Sequence, residues 1–415
     1  MSGYVFVNGR LLDPLQPELI DGMQVLVRDG ILREVSDRPI KAASATVVDL
    51  RGRTIMPGLI DLHAHVMATQ LNLAALVHQP NVFVTLRAIP LLKAMLRRGF
   101  TTVRDAGGAG LPLKQAIEEG LTQGPRLFVS GRALSQTGGH GDMNPRSDFI
   151  GAGHCPTCVR AGAISRVVDG VDAVRRAVRE ELQMGADQIK IMAYGGVASP
   201  TDPVGAFGYS EDEIRAVVEE ARGRATYVMA HAYTPAAIER AVRCGVRTIE
   251  HVNLVDAPTA AAMAAHGAYA VPTLVTYEAL ASEGAKLGLP PESVSKIAGV
   301  KDAGLRSLEI LRQAGVRIGF GTDLLGESHR LQSDEFRIRA QVLPAQEVIA
   351  SATTTAAEVL GMQGQLGRIQ NGAIADLLIV NGNPLADPGC LAGQGDCIAL
   401  VMKAGRVEFG NLETL

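Results

Sequence analysis

Pro57-Gly58-Leu59-Ile60-Asp61-Leu62-His63-Ala64-His65-Val66 is a short apolar run that ends in two histidines one residue apart. On a β-strand, side chains at i and i+2 share a face, so His63 and His65 aim at one point while Leu62 and Ala64 face away. Two imidazoles converging from one strand are a candidate metal-ligand pair. The same spacing also occurs as a structural or surface pair, so the rest of the chain decides its meaning.

Seven further apolar runs follow this one. The candidate strands are 59–66, 101–105, 126–131, 188–193, 227–232, 247–252, 269–276 and 318–323. Amphipathic, alanine-rich stretches separate most of them, at 171–184, 210–221, 235–244 and 259–266. Ser210 and Glu213 have the spacing of a capping box at the start of the second. Apolar strands alternating with helices predict a parallel sheet buried on both faces. Eight such units predict an α/β fold, a (β/α)8 TIM barrel. A doubly wound open sheet is the alternative, but no Gly-x-Gly-x-x-Gly follows an early strand.

Both chain ends read differently. Residues 4–50 alternate in short strands, with Asn8-Gly9 and Asp29-Gly30 as hairpin signals. Gly372–Gly382 is a strand ending in Asn381-Gly382, and 399–407 holds another hairpin. Neither end has the apolar content for its own core, so a small composite β-sandwich is expected, built from 1–56 with 357–415 beside a barrel of 57–356.

Composition narrows the function. The 415 residues carry a net charge of −3 and no long basic block, which argues against nucleic acid or an anionic membrane as the main partner. No apolar run reaches the ~18 residues of a membrane helix. The start, Met1-Ser2-Gly3-Tyr4-Val5, has no signal-peptide form, so a cytoplasmic location is the expectation. Five cysteines are too few and too odd in number for a disulfide framework, and Cys155-Pro156-Thr157-Cys158 reads as a loop with two thiols.

Four residues on later strands join the histidine pair. Lys190 lies inside the apolar run 188–193, where an unpaired ammonium is costly. It is either paired with a carboxylate or deprotonated and able to add CO₂ as a carbamate. His231, His251 and Asp323 stand at the C-terminal ends of their strands. In a barrel those ends open on one face, where active sites form.

With these residues in place, the chain resembles the amidohydrolase superfamily of metal-dependent hydrolases over nearly its whole length. The resemblance rests on Pro57–His65, Lys190, His231, His251, Gly321-Thr322-Asp323 and the terminal Gly372-Ala373-Ile374-Ala375-Asp376-Leu377-Leu378. Within it the chain is similar to the imidazolonepropionase-related branch, which includes Xaa-Pro dipeptidase-like carboxypeptidases and ochratoxin-hydrolysing amidohydrolases. The resemblance implies two Zn²⁺ ions per subunit. His63, His65 and Asp323 would hold one and His231 and His251 the other, with carboxylated Lys190 and a hydroxide bridging them. It also implies Asp323 as general base and then general acid, and a homo-oligomer, the octamer included. Two Zn²⁺ against the carbamate, hydroxide and Asp323 leave about +1, which suits a substrate with a free carboxylate.

Other residues complete the expectation. His140, in Thr137-Gly138-Gly139-His140-Gly141, is a candidate donor to the substrate carbonyl, and Tyr233 a second. Arg104 and Asp105 read as a structural ion pair. The glycine-rich loop after Lys190 is expected to cover the substrate. His329 and Arg330 are candidates for the substrate carboxylate. His78, His154 and His266 read as structural or surface residues. The expected activity is hydrolysis of N-acyl or N-aminoacyl amino acids, ochratoxin among them. Cyclic-amide hydrolysis and a non-catalytic metal-binding protein are the alternatives.

Overall fold

The computed structural model of the chain describes residues 3–42, 44–143, 164–197, 202–287, 289 and 291–415. Eight parallel strands occupy its middle: β1 (Leu59–Ala64), β2 (Phe100–Asp105), β3 (Arg126–Phe128), β4 (Ile189–Met192), β5 (Val228–Ala232), β6 (Thr248–His251), β7 (Tyr269–Val271) and β8 (Arg317–Ile318). They pair in the order β3-β2-β1, and then β4 to β8 in chain order. Backbone bonds join the two sheets into a ring. Asp187 N donates to Val129 O at 2.7 Å between β3 and β4, and Leu62 N donates to Phe320 O at 2.8 Å between β1 and the continuation of β8. Every residue of β1 and of β5 is buried, as strands covered on both faces must be.

The helices are α1 (Asn81–Arg97), α2 (Leu111–Glu118), α3 (Val171–Gln183), α4 (Glu211–Arg222), α5 (Pro235–Arg243), α6 (Ala257–Ala265), α7 (Leu274–Glu283) and α8 (Pro291–Gln313), followed by shorter ones after β8. The capping box at α4 forms in both directions between Ser210 and Glu213. Parallel strands in a closed ring, separated by helices, make this a TIM-barrel type α/β fold. Among the described residues no helix is long and apolar enough to cross a membrane.

The chain ends form two further sheets. One orders the strands Ile31–Ser36, Gln24–Arg28, Tyr4–Val7 and Thr46–Asp49; the other places Leu377–Val380 antiparallel to Thr54–Pro57. Phe6, Val25, Leu32, Leu377, Ile379 and Leu400 belong to one apolar cluster shared by both sheets. Asp29-Gly30 and Ala404-Gly405 make tight hairpins with positive φ at both turn residues. Asn8-Gly9 does not. Tyr4–Val7 pairs with Gln24–Arg28, whereas Arg10–Leu11 belongs to the other sheet, so this turn carries the chain from one sheet to the next.

Three strand expectations change. The run 269–276 is strand only to Val271. Pro272 lacks a ladder donor, and the apolar, β-branched residues after it form the buried helix α7, which local periodicity does not separate from a strand. The run 318–323 is regular only at Arg317–Ile318, because its backbone donors then go to different partners: Gly319 N to Ala270 O, Phe320 N to Ser351 O and Thr322 N to His63 O. Gly321 permits this crowding, since a Cβ there would stand 2.9 Å from His63 Cβ. Two short strands are not expected from the sequence: Ala133–Ser135 pairs parallel with β4, and Ser165–Val167 pairs parallel with Ala133–Ser135.

Candidate metal centre

The C-terminal strand ends bring five of the six expected ligands to one place. Ligating atoms of His63, His251 and Asp323 lie within 4.8 Å of one another. Asp323 Oδ1 is 3.4 Å from His63 Nε2 and 3.3 Å from His65 Nε2. The His231 ring stands edge-on to His251, with centroids 4.5 Å apart. His251 lies between the two groups, its ring 4.9 Å from that of His63 and its Nδ1 3.8 Å from Asp323 Oδ2. Strand alternation places Glu250 beside His231, and would turn the next residue away. His251 nevertheless faces the cluster, and its φ of +73° supplies the turn. Asp323 is also left-handed, at +53°. Such backbone costs ~1–3 kcal/mol per residue and collects at functional sites.

Three of the four histidines have one ring nitrogen on a carboxylate or carbonyl oxygen, and the fourth, His251, has one on a hydroxyl. His63 Nδ1 is 2.6 Å from Glu250 Oε2 and His65 Nδ1 is 3.0 Å from Gly107 O. His231 Nε2 is 3.2 Å from Gly195 O and His251 Nδ1 is 2.8 Å from Thr273 Oγ1. An acceptor on one nitrogen fixes the proton there and leaves a lone pair on the other. For His63 and His65 that second nitrogen is Nε2, and both face the Asp323 carboxylate. His63 Nε2 is buried without a hydrogen-bond partner, and neutral imidazoles that turn Nε2 toward a carboxylate suit a cation between them, so the donor set fits a metal ion.

The electrostatics carry the same demand for positive charge. Burial would raise Asp323, but His63, His65 and His251 hold it well below the usual carboxylate range. Burial works against a charged His65, yet Asp323 and the charge of Asp105 outweigh it and hold the imidazole above its ordinary value. Burial, with cationic neighbours, pushes His231 and His251 well down, toward the neutral form that ligates metals. Lys190, 1% exposed, is the sixth expected ligand. Burial lowers it to about 8 against the attraction of Glu250 and Asp323, so a neutral amine is accessible for carbamate formation.

His140 and Tyr233 both reach this rim. His140 stacks on His231 with centroids 4.4 Å apart, and its Nδ1 is 3.7 Å from Asp202 Oδ2. Tyr233 stacks on His251 at 5.2 Å. Gly196, in the loop after Lys190, is a close neighbour of His140: a Cβ there would stand 2.0 Å from its Cε1. Gly196→Ala is expected to push His140 aside and lower kcat/KM by about a hundredfold, the usual result of a misplacement of an ångström at the rim of a site. Steady-state kinetics beside an unchanged melting curve check it.

Other expectations are corrected. Arg104 and Asp105 do not pair with each other, because adjacent strand residues face opposite ways. Arg104 is fully buried and donates to Glu250 at 3.1 Å and to Leu62 O at 2.6 Å. Asp105 accepts from the backbone of Val66, Gly107 and Ala109 and so shapes the turn that orients His65. Arg330 is committed to Glu283, and His329 is buried. His266, read as a structural or surface residue, is indeed exposed and closes α6 on Ala262 O. His154, Cys155, Cys158 and the end of the loop after Lys190 lie outside the described residues. Sequence reasoning missed Glu250, which joins His63 to Arg104; an acidic residue inside an otherwise apolar strand was its only signal. It also missed Thr273, whose stretch reads as plain strand.

A barrel whose strand ends gather histidines, a carboxylate and a buried lysine is the framework of a metal-centred hydrolase. The amidohydrolase family profile matches residues 54–407, and the chain belongs to that family. It is a hydrolase of amide bonds. It is 33% identical over 401 residues to the ochratoxinase of Aspergillus niger, covering 91% of this chain and 81% of that one. A crystal structure of an amidohydrolase is 68% identical with a TM-score of 0.97, covering 99% of this chain and 100% of the other. One of a prolidase complexed with N-methylphosphonate-L-proline is 57% identical with a TM-score of 0.96, covering 98% and 99%.

Proposed function

We propose that the chain hydrolyses the amide bond of N-acyl or N-aminoacyl amino acids, as a dipeptidase- or carboxypeptidase-like enzyme with two Zn²⁺ ions. The observation that carries this reading is the convergence of His63 Nε2 and His65 Nε2 on Asp323 Oδ1 beside His251 and His231. The similarity to a prolidase and an ochratoxinase supports the substrate class, an amide whose amine side is an amino acid. His63, His65 and Asp323 would hold one ion, His231 and His251 the other, and Lys190 as its carbamate would bridge them. Bound there, the metals lower the pKa of water toward neutrality and polarise the scissile carbonyl.

The chain's own groups account for the rest. Asp323 stays ionised near neutral pH. It takes a proton from the attacking water as the new C–O bond forms and returns it to the amine nitrogen as the C–N bond breaks. His140 and Tyr233 donate to the carbonyl oxygen as it gains charge. Residues 57–356 act in this scheme as the catalytic barrel, with a β-sandwich of 1–56 and 357–415 packed beside it.

Stripping the protein with a chelator is expected to abolish turnover and Zn²⁺ to restore it. A panel of Xaa-Pro dipeptides, N-acyl phenylalanines including ochratoxin, and cyclic amides then assigns the substrate. Release of a free amino acid without ring opening is the expected outcome. Full activity in metal-free protein, or opening of ring amides alone, overturns the proposal.

A further inference from the structure

Five cysteines do not make a disulfide framework, yet two of them meet. Cys390 lies in the short 3-10 helix Pro388–Ala392, and Cys397 directly precedes the strand Ile398–Lys403. Between them the chain doubles back through two turns. Asp396 N donates to Gly393 O at 3.0 Å, and Ile398 N donates to Gly395 O at 3.0 Å. Gln394 and Gly395 both take positive φ, +53° and +98°, which so sharp a return requires. The return brings the two side chains into a hydrogen bond, thiol to thiol. Both are half-buried, packed against the apolar cluster that includes Leu96, Leu391 and Ile398.

The two sulfurs are not equivalent. The hydrogen bond from Cys390 lowers the Cys397 thiol against the effect of burial, and the same bond raises Cys390. Cys397 is therefore the member that reaches the thiolate form first, and the thiolate is the reactive species.

The loop that carries the pair is also a joint. On one side it runs into Ile398–Lys403, which pairs with Leu377–Val380 in a sheet of the chain ends. On the other side it meets the barrel. Gln394 Nε2 donates to Asp334 Oδ1 at 3.4 Å, and a Cβ on Gly395 would stand 2.8 Å from Arg97 O at the end of α1.

We propose that Cys390 and Cys397 form a reversible disulfide that staples this loop where the C-terminal sheet meets the barrel. The oxidant is a small organic disulfide. The Cys397 thiolate attacks one of its sulfurs, forms a mixed disulfide and releases the first small thiolate, which takes up a proton. Cys390 gives its proton to solvent and attacks Cys397 Sγ. The protein disulfide forms as the second small thiolate leaves and is protonated. Two protein thiols are oxidised and one small disulfide is reduced to two thiols. The closed ring 390–397 restricts the unfolded chain, so the effect falls on stability rather than on turnover.

The test uses the full chain with oxidised glutathione as the probe. Tryptic digestion keeps Cys390 and Cys397 together on 369–403, apart from Cys155 and Cys158 on 147–160 and from Cys244. After oxidation the fragment 369–403 is expected to be lighter by two hydrogen masses and closed to alkylation, and dithiothreitol is expected to reverse both. The melting midpoint is expected to rise by about 2–5 °C on oxidation while kcat holds. Cys390→Ser is expected to stop at the mixed disulfide on Cys397 and to lose the rise in melting midpoint. Cys397→Ser is expected to react with glutathione disulfide about tenfold more slowly, since it retains only the weaker nucleophile. Free alkylation of both thiols in the oxidised wild type overturns the proposal, as does a glutathione adduct that persists there on Cys397. A rise in melting midpoint that survives in Cys390→Ser overturns it as well.

Discussion

Lys190→Ala is expected to lower kcat/KM by about a thousandfold or more, equivalent to roughly 4 kcal/mol of lost transition-state stabilisation. The side chain is a fully buried amine among the histidines and carboxylates of the rim, and burial lowers it to about 8. Its carbamate is the bridge in the proposed centre, so metal content should fall with activity. A short carboxylate such as formate fits the space that the shortened side chain leaves and is expected to restore part of both. Lys190→Arg keeps a positive charge but forms no carbamate, and is expected to behave like alanine without rescue. Metal analysis and kinetics with added formate check this. A Lys190→Ala variant with full metal content and near-normal turnover would remove the lysine from the centre.

The second large effect is expected at Glu250. Its carboxylate stands between His63 Nδ1 at 2.6 Å and the Arg104 guanidinium at 3.1 Å, with all three side chains buried. Burial would raise it, but Arg104 and then His63 hold it down at about 2. A carboxyl depressed in the fold adds stability that is fully present above its ordinary value near 4.5 and lost as pH falls through about 2. Glu250→Ala leaves Arg104 charged and buried without its carboxylate, and is expected to cost about 3–5 kcal/mol. It also frees the His63 ring, with a loss of about 10–100-fold in metal affinity. Glu250→Leu with Arg104→Met removes both charges. That pair should recover much of the stability in denaturant titrations but none of the metal affinity. Recovery of both would show that Glu250 serves the fold alone.

The positions that the sequence made legible share a property. His63, His65, His231, His251 and Asp323 each end an apolar run, and the fold puts such ends on one rim. Lys190 stood out because an ammonium inside an apolar strand has no ordinary explanation. The Gly195-Gly196 loop and His140 were legible as neighbours of the rim, but their mutual contact was not, because nothing local puts Gly196 against a histidine more than fifty residues earlier. Helix α7 was misread because a buried helix loses the polar face that marks helical period, so 273–276 looked like more strand. The last strand was overextended for a different reason: Gly319 to Thr322 continues the apolar run in the sequence, yet its donors serve three different neighbours.

The sequence by itself determined the alternation of strands and helices, the strand ends that carry ligands, and the class of chemistry those ligands suit. These follow from periods of two and 3.6 residues, which any stretch of chain displays locally. Only the tertiary structure decided that Glu250 and Arg104 fix His63, and that His251 turns inward on a left-handed backbone. His63 and Glu250 are 187 residues apart along the chain. A buried charge or hydroxyl finds its partner across the closed barrel, and ring closure is what brings such distant residues within hydrogen-bond reach.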